Sequence, residues 1–233
     1  MSRTQEGAET AERAMSRFFR DNGLTIVLLL LFVASIVGHW ITGWHFHNEQ
    51  LQDHGREPIT LIAFLSDPQF LSTVFENWES EFLQMSAYVV LTAYLFQRGS
   101  AESTNPDEPA RPGDTTSRTT KRDAPVALRR GAAVRWVYGH SLGLVLFLLF
   151  IASFVMHWMF SAKEAAEEAQ NHGGTPLTLL EYLTSAQLWF ESFQNWQSEF
   201  LSTAVIVVLS IFLREVGSPE SKPVAAPHAE TGA

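Results

Sequence analysis

The sequence predicts an all-α integral membrane protein with four transmembrane helices, arranged as two parallel repeats of a two-span unit with external helical elbows. Three observations carry that expectation: charge-free runs, a duplication held in one register, and a sorting of the basic residues. Leu24–Trp44 and Val137–Phe160 contain no charged residue, and each exceeds the roughly 20 helical residues that cross a hydrocarbon core. Phe82–Phe96 and Phe200–Leu213 are uncharged as well, but shorter. Almost everything between these runs is polar.

The duplication appears when the chain is slid by 118 positions. Phe18–Ser103 then lies on Trp136–Ser221 without a gap, and about 35 of the 86 pairs are identical. His39-Trp40 lies on His157-Trp158, His54-Gly55 on His172-Gly173, Asn77-Trp78 on Asn195-Trp196, and Ser80-Glu81-Phe82-Leu83 on Ser198-Glu199-Phe200-Leu201. A self-match at fixed period marks a repeat architecture. A two-span unit returns the chain to its starting side, so both copies face the same way and form a parallel repeat.

Lys and Arg set the orientation. Arg3, Arg13, Arg17 and Arg20 precede the first span; Arg98, Arg111, Arg118, Lys121, Arg122, Arg129, Arg130 and Arg135 lie between the second and third; Arg214 and Lys222 follow the fourth. The loops 45–73 and 163–191 hold only Arg56 and Lys163. Basic segments remain cytoplasmic, which puts both termini and the central linker inside and the two loops outside.

Taken along the chain, residues 1–17 form a cytoplasmic N-terminal segment, and repeat 1 covers 18–98 with spans at about 24–44 and 75–97. The first run is too long for the apolar stretch of a signal peptide and ends in GHWITGW, so it is read as a retained span. NEQLQDHG and EEAQNHGG have the form of helix ends with Gly at the C′ position. Pro58 and Pro176 suit a new helix start, and TLIAFL and TLLEYL suit short interfacial segments. Ser66-Asp67-Pro68 and Thr184-Ser185 offer N-caps for the return helices. Residues 99–135 are rich in Pro, Ser, Thr and charge, a composition that predicts a disordered linker. Repeat 2 covers 136–216, with spans at about 137–160 and 193–214, and 217–233 reads as a disordered tail.

The second span of each copy is where chemistry concentrates. Phe82–Phe96 makes roughly 22 Å of helix, too short for a core of about 30 Å. The helix must extend back through FENWESE and FQNWQSE, which brings Glu81 and Glu199 close to the outer edge of the hydrocarbon. Asn77 and Glu81 share a helical face, as do Asn195 and Glu199. Trp40, Trp78, Trp158 and Trp196 fit an interfacial aromatic belt. A carboxylate at this depth needs a partner. The expected pairs are Glu81 with His39 and Glu199 with His157, within or across the copies, bridged by Asn77 and Asn195. Such a cluster can act as glue between helices or as a proton or cation site. Glu76 and Glu79 rank lower, because Gln194 and Gln197 replace them in the second copy.

Other function classes find less in the sequence. There is no cysteine, which removes thiolate chemistry and Cys-ligated zinc. His39, His45, His47 and His54 crowd the first loop, but the second copy keeps only His157 and His172, so no metal or other cofactor is expected. GxSxG, HExxH and P-loop motifs are absent, and no enzyme is expected. The acidic net charge of −9 argues against a nucleic-acid partner; the expected partners are the lipid bilayer and, in a homo-oligomer, further copies of the chain.

With FFRDNGL, the HG and Pro of the elbow, and FENWESEFLQ leading into a span that ends in QRGSAES, the chain resembles an uncharacterised family of small bacterial multi-pass membrane proteins, a domain of unknown function. The resemblance covers both copies, with N-W-x-S-E-F-L as its core. The second copy departs at its start, where YGHSL stands in place of RDNGL. It implies a bacterial cytoplasmic membrane location and no known activity. The function expected from the residues is a non-enzymatic membrane protein whose Asn/Glu/His clusters organise helix packing or assembly. The alternative is a small proton- or cation-coupled transporter or channel using Glu81 and Glu199.

Overall fold

The computed structural model describes residues 3–109, 113–119 and 121–232, and side chains from Met15 onward. Arg111, and the side chains of Arg3 and Arg13, which enter the orientation argument, lie outside what is described. Among the described residues the regular secondary structure is helical and there is no strand. The helices are α1 (Arg3–Asp53), α2 (Leu61–Phe64), α3 (Pro68–Thr92), α4 (Ala132–Gly139), α5 (Ser141–Asn171), α6 (Leu179–Tyr182) and α7 (Ala186–Phe212), with a 3-10 turn at Val126–Arg129.

Among the described residues, three helices are long and apolar enough to cross a membrane: Met15–Asp53 within α1, α5 and α7. α3 has the length, with 25 residues, or about 37 Å at 1.5 Å per residue. Its stretch Pro68–Glu81 is too polar to qualify by composition, since it carries Glu76, Glu79 and Glu81.

Burial is inverted relative to a water-soluble protein. Ser72, Glu79, Ser80, Ser86, Ser153, His157, Ser161, Ser192 and Ser210 are buried, while Leu28–Phe32, Leu142, Phe147, Leu148, Leu201 and Val205 are exposed. In water, large apolar faces of that kind would drive aggregation. In lipid they are the solvated surface, and small or polar side chains fill the helix–helix contacts.

The chain divides into two compact units, Met1–Phe70 and Leu71–Ala233. In the first, α1 already begins at Arg3, where composition predicts a disordered end; the Ala, Glu and Arg of that segment are good helix formers. α1 stops at Asp53, with His54 Nδ1 bonded to the Gln50 carbonyl (2.8 Å) and Gly55 at φ +67°. The left-handed turn that follows favours Gly, which has no Cβ to clash. The returning strand of chain is docked on α1 by Trp40 Nε1–H to the Leu61 carbonyl (2.9 Å), Trp44 Nε1–H to Ile59 (2.8 Å), and the Asn48 amide, which both donates to and accepts from the Ile59 backbone. α2 starts at neither Pro58 nor a residue beside it. Its cap is Thr60, whose hydroxyl accepts from the Ala63 N–H.

In the second unit the same local devices recur. α5 ends at Asn171, followed by Gly173 at φ +71°. Trp158 Nε1–H reaches the Leu179 carbonyl (2.9 Å). α6 is capped by Thr178 rather than begun at Pro176, and there a full capping box forms: the Glu181 carboxylate accepts from Thr178 N–H (2.8 Å) and hydroxyl (2.7 Å). Two hydrogen bonds on the charged form hold this exposed carboxyl below the usual glutamate range. Asp67 and Ser185 cap α3 and α7, accepting from Gln69 N–H (3.0 Å) and Leu188 N–H (3.3 Å), as the sequence predicts.

α3 runs antiparallel to α5. Phe75 stacks on Phe160, Glu79 meets His157, and Ser86 donates to the Gly143 carbonyl. Against α7 it runs parallel and in register: Glu76 with Asn195, Glu79 with Trp196, Gln84 with Thr203.

The described parts of 99–135 and 217–233 are mostly irregular, but they carry more contacts than their composition implies. Ser100 bonds Ser210 (2.9 Å), Gly99 N–H donates to Thr231 (2.8 Å), and the Lys222 ammonium donates to the carbonyls of Gly99, Pro227, His228 and Glu230. A charged donor saturated by backbone acceptors gives these apolar-poor segments an anchor that hydrophobic burial does not supply.

Candidate functional site

The site is built on one face of α5. Ser153, His157 and Ser161 follow each other at four-residue steps, so they stack along a single stripe, and all three are buried. α3 approaches that stripe with Glu79, α7 with Glu191, and α6 with Tyr182.

His157 is the centre. Its side chain is 0% exposed, as is that of Glu79. Nδ1 lies 2.7 Å from a Glu79 carboxylate oxygen, and Nε2 lies 3.3 Å from a Glu191 carboxylate oxygen. Both ring nitrogens are thus occupied, each by an acid from a different helix. The second Glu79 oxygen accepts from Trp196 Nε1–H at 2.8 Å. Glu191 also accepts from the Ser161 hydroxyl (2.7 Å) and the Gln187 amide (3.0 Å), and its side chain is 23% exposed. Ser161 in turn bonds the Tyr182 hydroxyl at 2.7 Å. Burial pushes that phenol up to about 12, against the opposing pull of the Ser161 bond, so it remains protonated near neutrality. The result is a continuous hydrogen-bonded chain: Tyr182, Ser161, Glu191, His157, Glu79, Trp196. Glu76 lies beside it, bonded to the Asn195 amide.

The helices are placed by ordinary packing around this chain. Ala162, Tyr182 and Leu188 form a buried apolar cluster, with Trp158, Ala165 and Leu183 against it. That cluster seats α6 on α5 and on the first turn of α7, next to the polar chain. Trp189, Phe193 and Trp196 stack along α7, and Phe150 and Phe154 of α5 meet them.

The residues singled out by sequence are distributed differently from the expectation. His157 is central, but its acids are Glu79 and Glu191 in place of Glu199. The reason is register: α3 packs so that its first-half carboxylate falls opposite His157, and Glu199 lies two helical turns beyond Glu191. Glu199 instead stands where the like charge of Glu81 reaches it, and Glu81 is exposed. Asn195 bonds Glu76 and does not bridge to His157. Asn77 turns back to its own helix, donating to the Thr73 carbonyl at 2.7 Å. His39 belongs to the other unit, where its ring packs on Phe70 with centroids 5.2 Å apart. Trp40 and Trp158 dock the elbows, and Trp196 holds a carboxylate. Trp78 makes an edge contact with Phe75.

Glu191, Ser161 and Tyr182 had no place among the sequence candidates, and Glu79 was ranked low because its counterpart is Gln197. The signal that finds them is the divergence between the copies. Glu191, Ser161 and Tyr182 lie on Thr73, Gly43 and Phe64 of the first copy. Glu79 with His157 joins the two copies, and Glu191, Ser161 and Tyr182 complete the set within the second, so positions where the matched residues differ in chemistry are where the site shows.

The two carboxylates bind opposite ring nitrogens and point away from a common centre. Among the described residues no group of three His, Cys, Asp or Glu side chains has the arrangement to hold a metal ion. No curated protein and no solved structure matches the chain. The family model described as Domain of unknown function (DUF6766) matches residues 15–233, and the chain belongs to that family.

Proposed function

We propose that this protein is a non-enzymatic, four-span protein of the bacterial cytoplasmic membrane, with both termini inside, in which the Glu79–His157–Glu191 contact fixes how α3, α5 and α7 pack. One observation carries the reading: a fully buried imidazole bonded on both sides by acids from two other helices. In a membrane, apolar side chains gain little by leaving lipid for a helix contact, so polar bonds and close packing decide which helices meet.

α3 is the fourth span. Its polar stretch meets α5 and α7 through Glu76 and Glu79, both of those helices are apolar enough to cross, and Phe82–Thr92 is uncharged. The duplication adds support. Trp40 and Trp158, Thr60 and Thr178, His54 and His172, and Gly55 and Gly173 make like contacts or turns at a constant offset of 118. The lipid bilayer is the partner that the exposed Leu, Val and Phe faces require, and a homo-oligomer is compatible with them.

Single-cysteine labelling tests the topology without interference, because the chain has no cysteine of its own. Gln50→Cys and Glu168→Cys should react with an impermeant maleimide in intact cells, and Arg118→Cys only after lysis. Labelling of position 50 or 168 from the cytosol alone overturns the four-span arrangement. A second reading, proton-coupled transport, draws on the hydrogen-bonded chain from Tyr182 to Glu79. Proton flux in liposomes that is lost in Glu79→Gln with the fold intact favours it; loss of the fold favours packing.

A further inference from the structure

Hydrogen-bond bookkeeping at His157 leads beyond packing. A carboxylate can only accept, and a neutral imidazole carries one N–H and one bare lone pair. His157 has a carboxylate oxygen 2.7 Å from Nδ1 and another 3.3 Å from Nε2. If both acids were ionised and the ring neutral, one of these contacts would set an acceptor against an acceptor. The arrangement therefore holds one proton more than that state, either as a second N–H on the ring or as an O–H on one acid.

We propose that Glu79, His157 and Glu191 form a proton-binding site, loaded through Glu191. The inference rests on the reading of α3, α5 and α7 as packed membrane helices. Binding takes the three groups from a charge of −2, with the ring neutral and both acids ionised, to −1. The groups that face the site are Glu76 and Glu79 from α3, Glu191 from α7, Tyr182 from α6 and Glu164 from α5 itself, with Trp196, Asn195 and Gln187 as uncharged donors from α7. All of the titratable neighbours are acids, so no second cation competes to neutralise the site, and a proton is the ligand that fits between groups already in hydrogen-bond contact.

The site opens on one side. Glu79 and His157 are sealed, whereas Glu191 is part-exposed and holds alternative partners in Ser161 and Gln187. When the proton leaves, the longer bond to Nε2 is the one to break. Glu191 retains Ser161 and Gln187, and His157 keeps a single N–H for Glu79. Proton release thereby removes one of the two bonds that Glu191 of α7 makes to α5, leaving the one to Ser161, while α3 stays attached.

The test uses the full chain in lipid nanodiscs with nitrogen-15 histidine, His157 being assigned by its loss in His157→Asn. Expected at neutral pH is either a doubly protonated His157 ring or a carboxylic-acid infrared band that disappears in Glu79→Gln or Glu191→Gln. On raising the pH one proton leaves per chain, and Glu191→Gln abolishes that step, because its amide can donate to the bare ring nitrogen. A His157 with one unprotonated nitrogen and no carboxylic-acid band overturns the proposal. Cross-linking of Gln84→Cys to Thr203→Cys in the same lipid reports the helix packing separately. If the cross-link forms and the proton is missing, the proton site falls and the packing stands. If the cross-link fails, both fall.

Discussion

Replacing His157 with alanine removes the base from a contact that buries Glu79 completely. The Glu79 carboxylate then keeps the Trp196 N–H and nothing of opposite charge. Removing one partner of a buried pair costs about 3–5 kcal/mol, because the remaining charge is left in low dielectric. Glu191 contributes less to the loss, since it is part-exposed and retains Ser161 and Gln187. The double variant His157→Leu, Glu79→Met removes both charges and fills similar volume. It loses the Trp196 bond to the carboxylate, worth about 1.5–3 kcal/mol, and should be destabilised by less than the single alanine variant. Reversible unfolding in bicelles, followed by circular dichroism, gives all the values needed. A His157→Ala variant within about 1 kcal/mol of wild type, or a double variant at the sum of its two singles, would refute the claim that the pair acts as one buried unit.

Other perturbations address separate parts of the fold. Glu181 has its carboxyl held low by the backbone N–H and the hydroxyl of Thr178, so its capping contribution is present above the ordinary glutamate range and is lost as the pH falls through the depressed value; hydrogen exchange of residues 178–183 should accelerate on acidification, and Thr178→Val should remove only the hydroxyl's smaller share of that dependence, while Glu181→Gln removes all of it. Thr60→Ala deletes the corresponding cap in the first elbow and should cost about 1 kcal/mol, read as faster exchange at 61–65. Lys222→Met removes the donor to four carbonyls; limited proteolysis should cleave the 217–232 segment several-fold faster, and an unchanged rate would mean that other contacts hold the tail. Ser210→Cys paired with Gln84→Cys should not cross-link where Thr203→Cys does, because α3 and α7 are in register.

Much of this architecture is legible in the sequence, and for physical reasons. Charge-free runs show α1 and α5 directly, because lipid tolerates few exposed charges. The His-Gly pairs show where α1 and α5 stop, because only a left-handed residue closes those ends. Elbow starts were legible only to within two residues. Both Pro and Thr suit a helix start, and the hydroxyl of Thr60 or Thr178 wins because it satisfies a backbone N–H, which Pro cannot. The candidate site was half legible. His157 stood out as a histidine within an apolar run. Its partners did not, because pairing acids with bases at equal depth cannot say which face α3 turns toward α5. Glu81 and Glu79 differ by two positions, nearly opposite sides of a helix, and the register of α3 against α5 selects Glu79. The contacts of the linker and tail were hidden for another reason: Lys222 is held by backbone carbonyls, which any sequence supplies, so nothing in residue type announced them.

The two halves of this chain have ceased to be interchangeable. Glu79 was contributed by the first hairpin, while His157, Ser161, Tyr182 and Glu191 came with the second. Two first hairpins brought together would present glutamate without the serine, tyrosine and second acid that complete the set; two second hairpins would lack the glutamate. At this site the two hairpins are complementary and not alike. Severing the chain between them should yield fragments that reassemble with each other in preference to themselves.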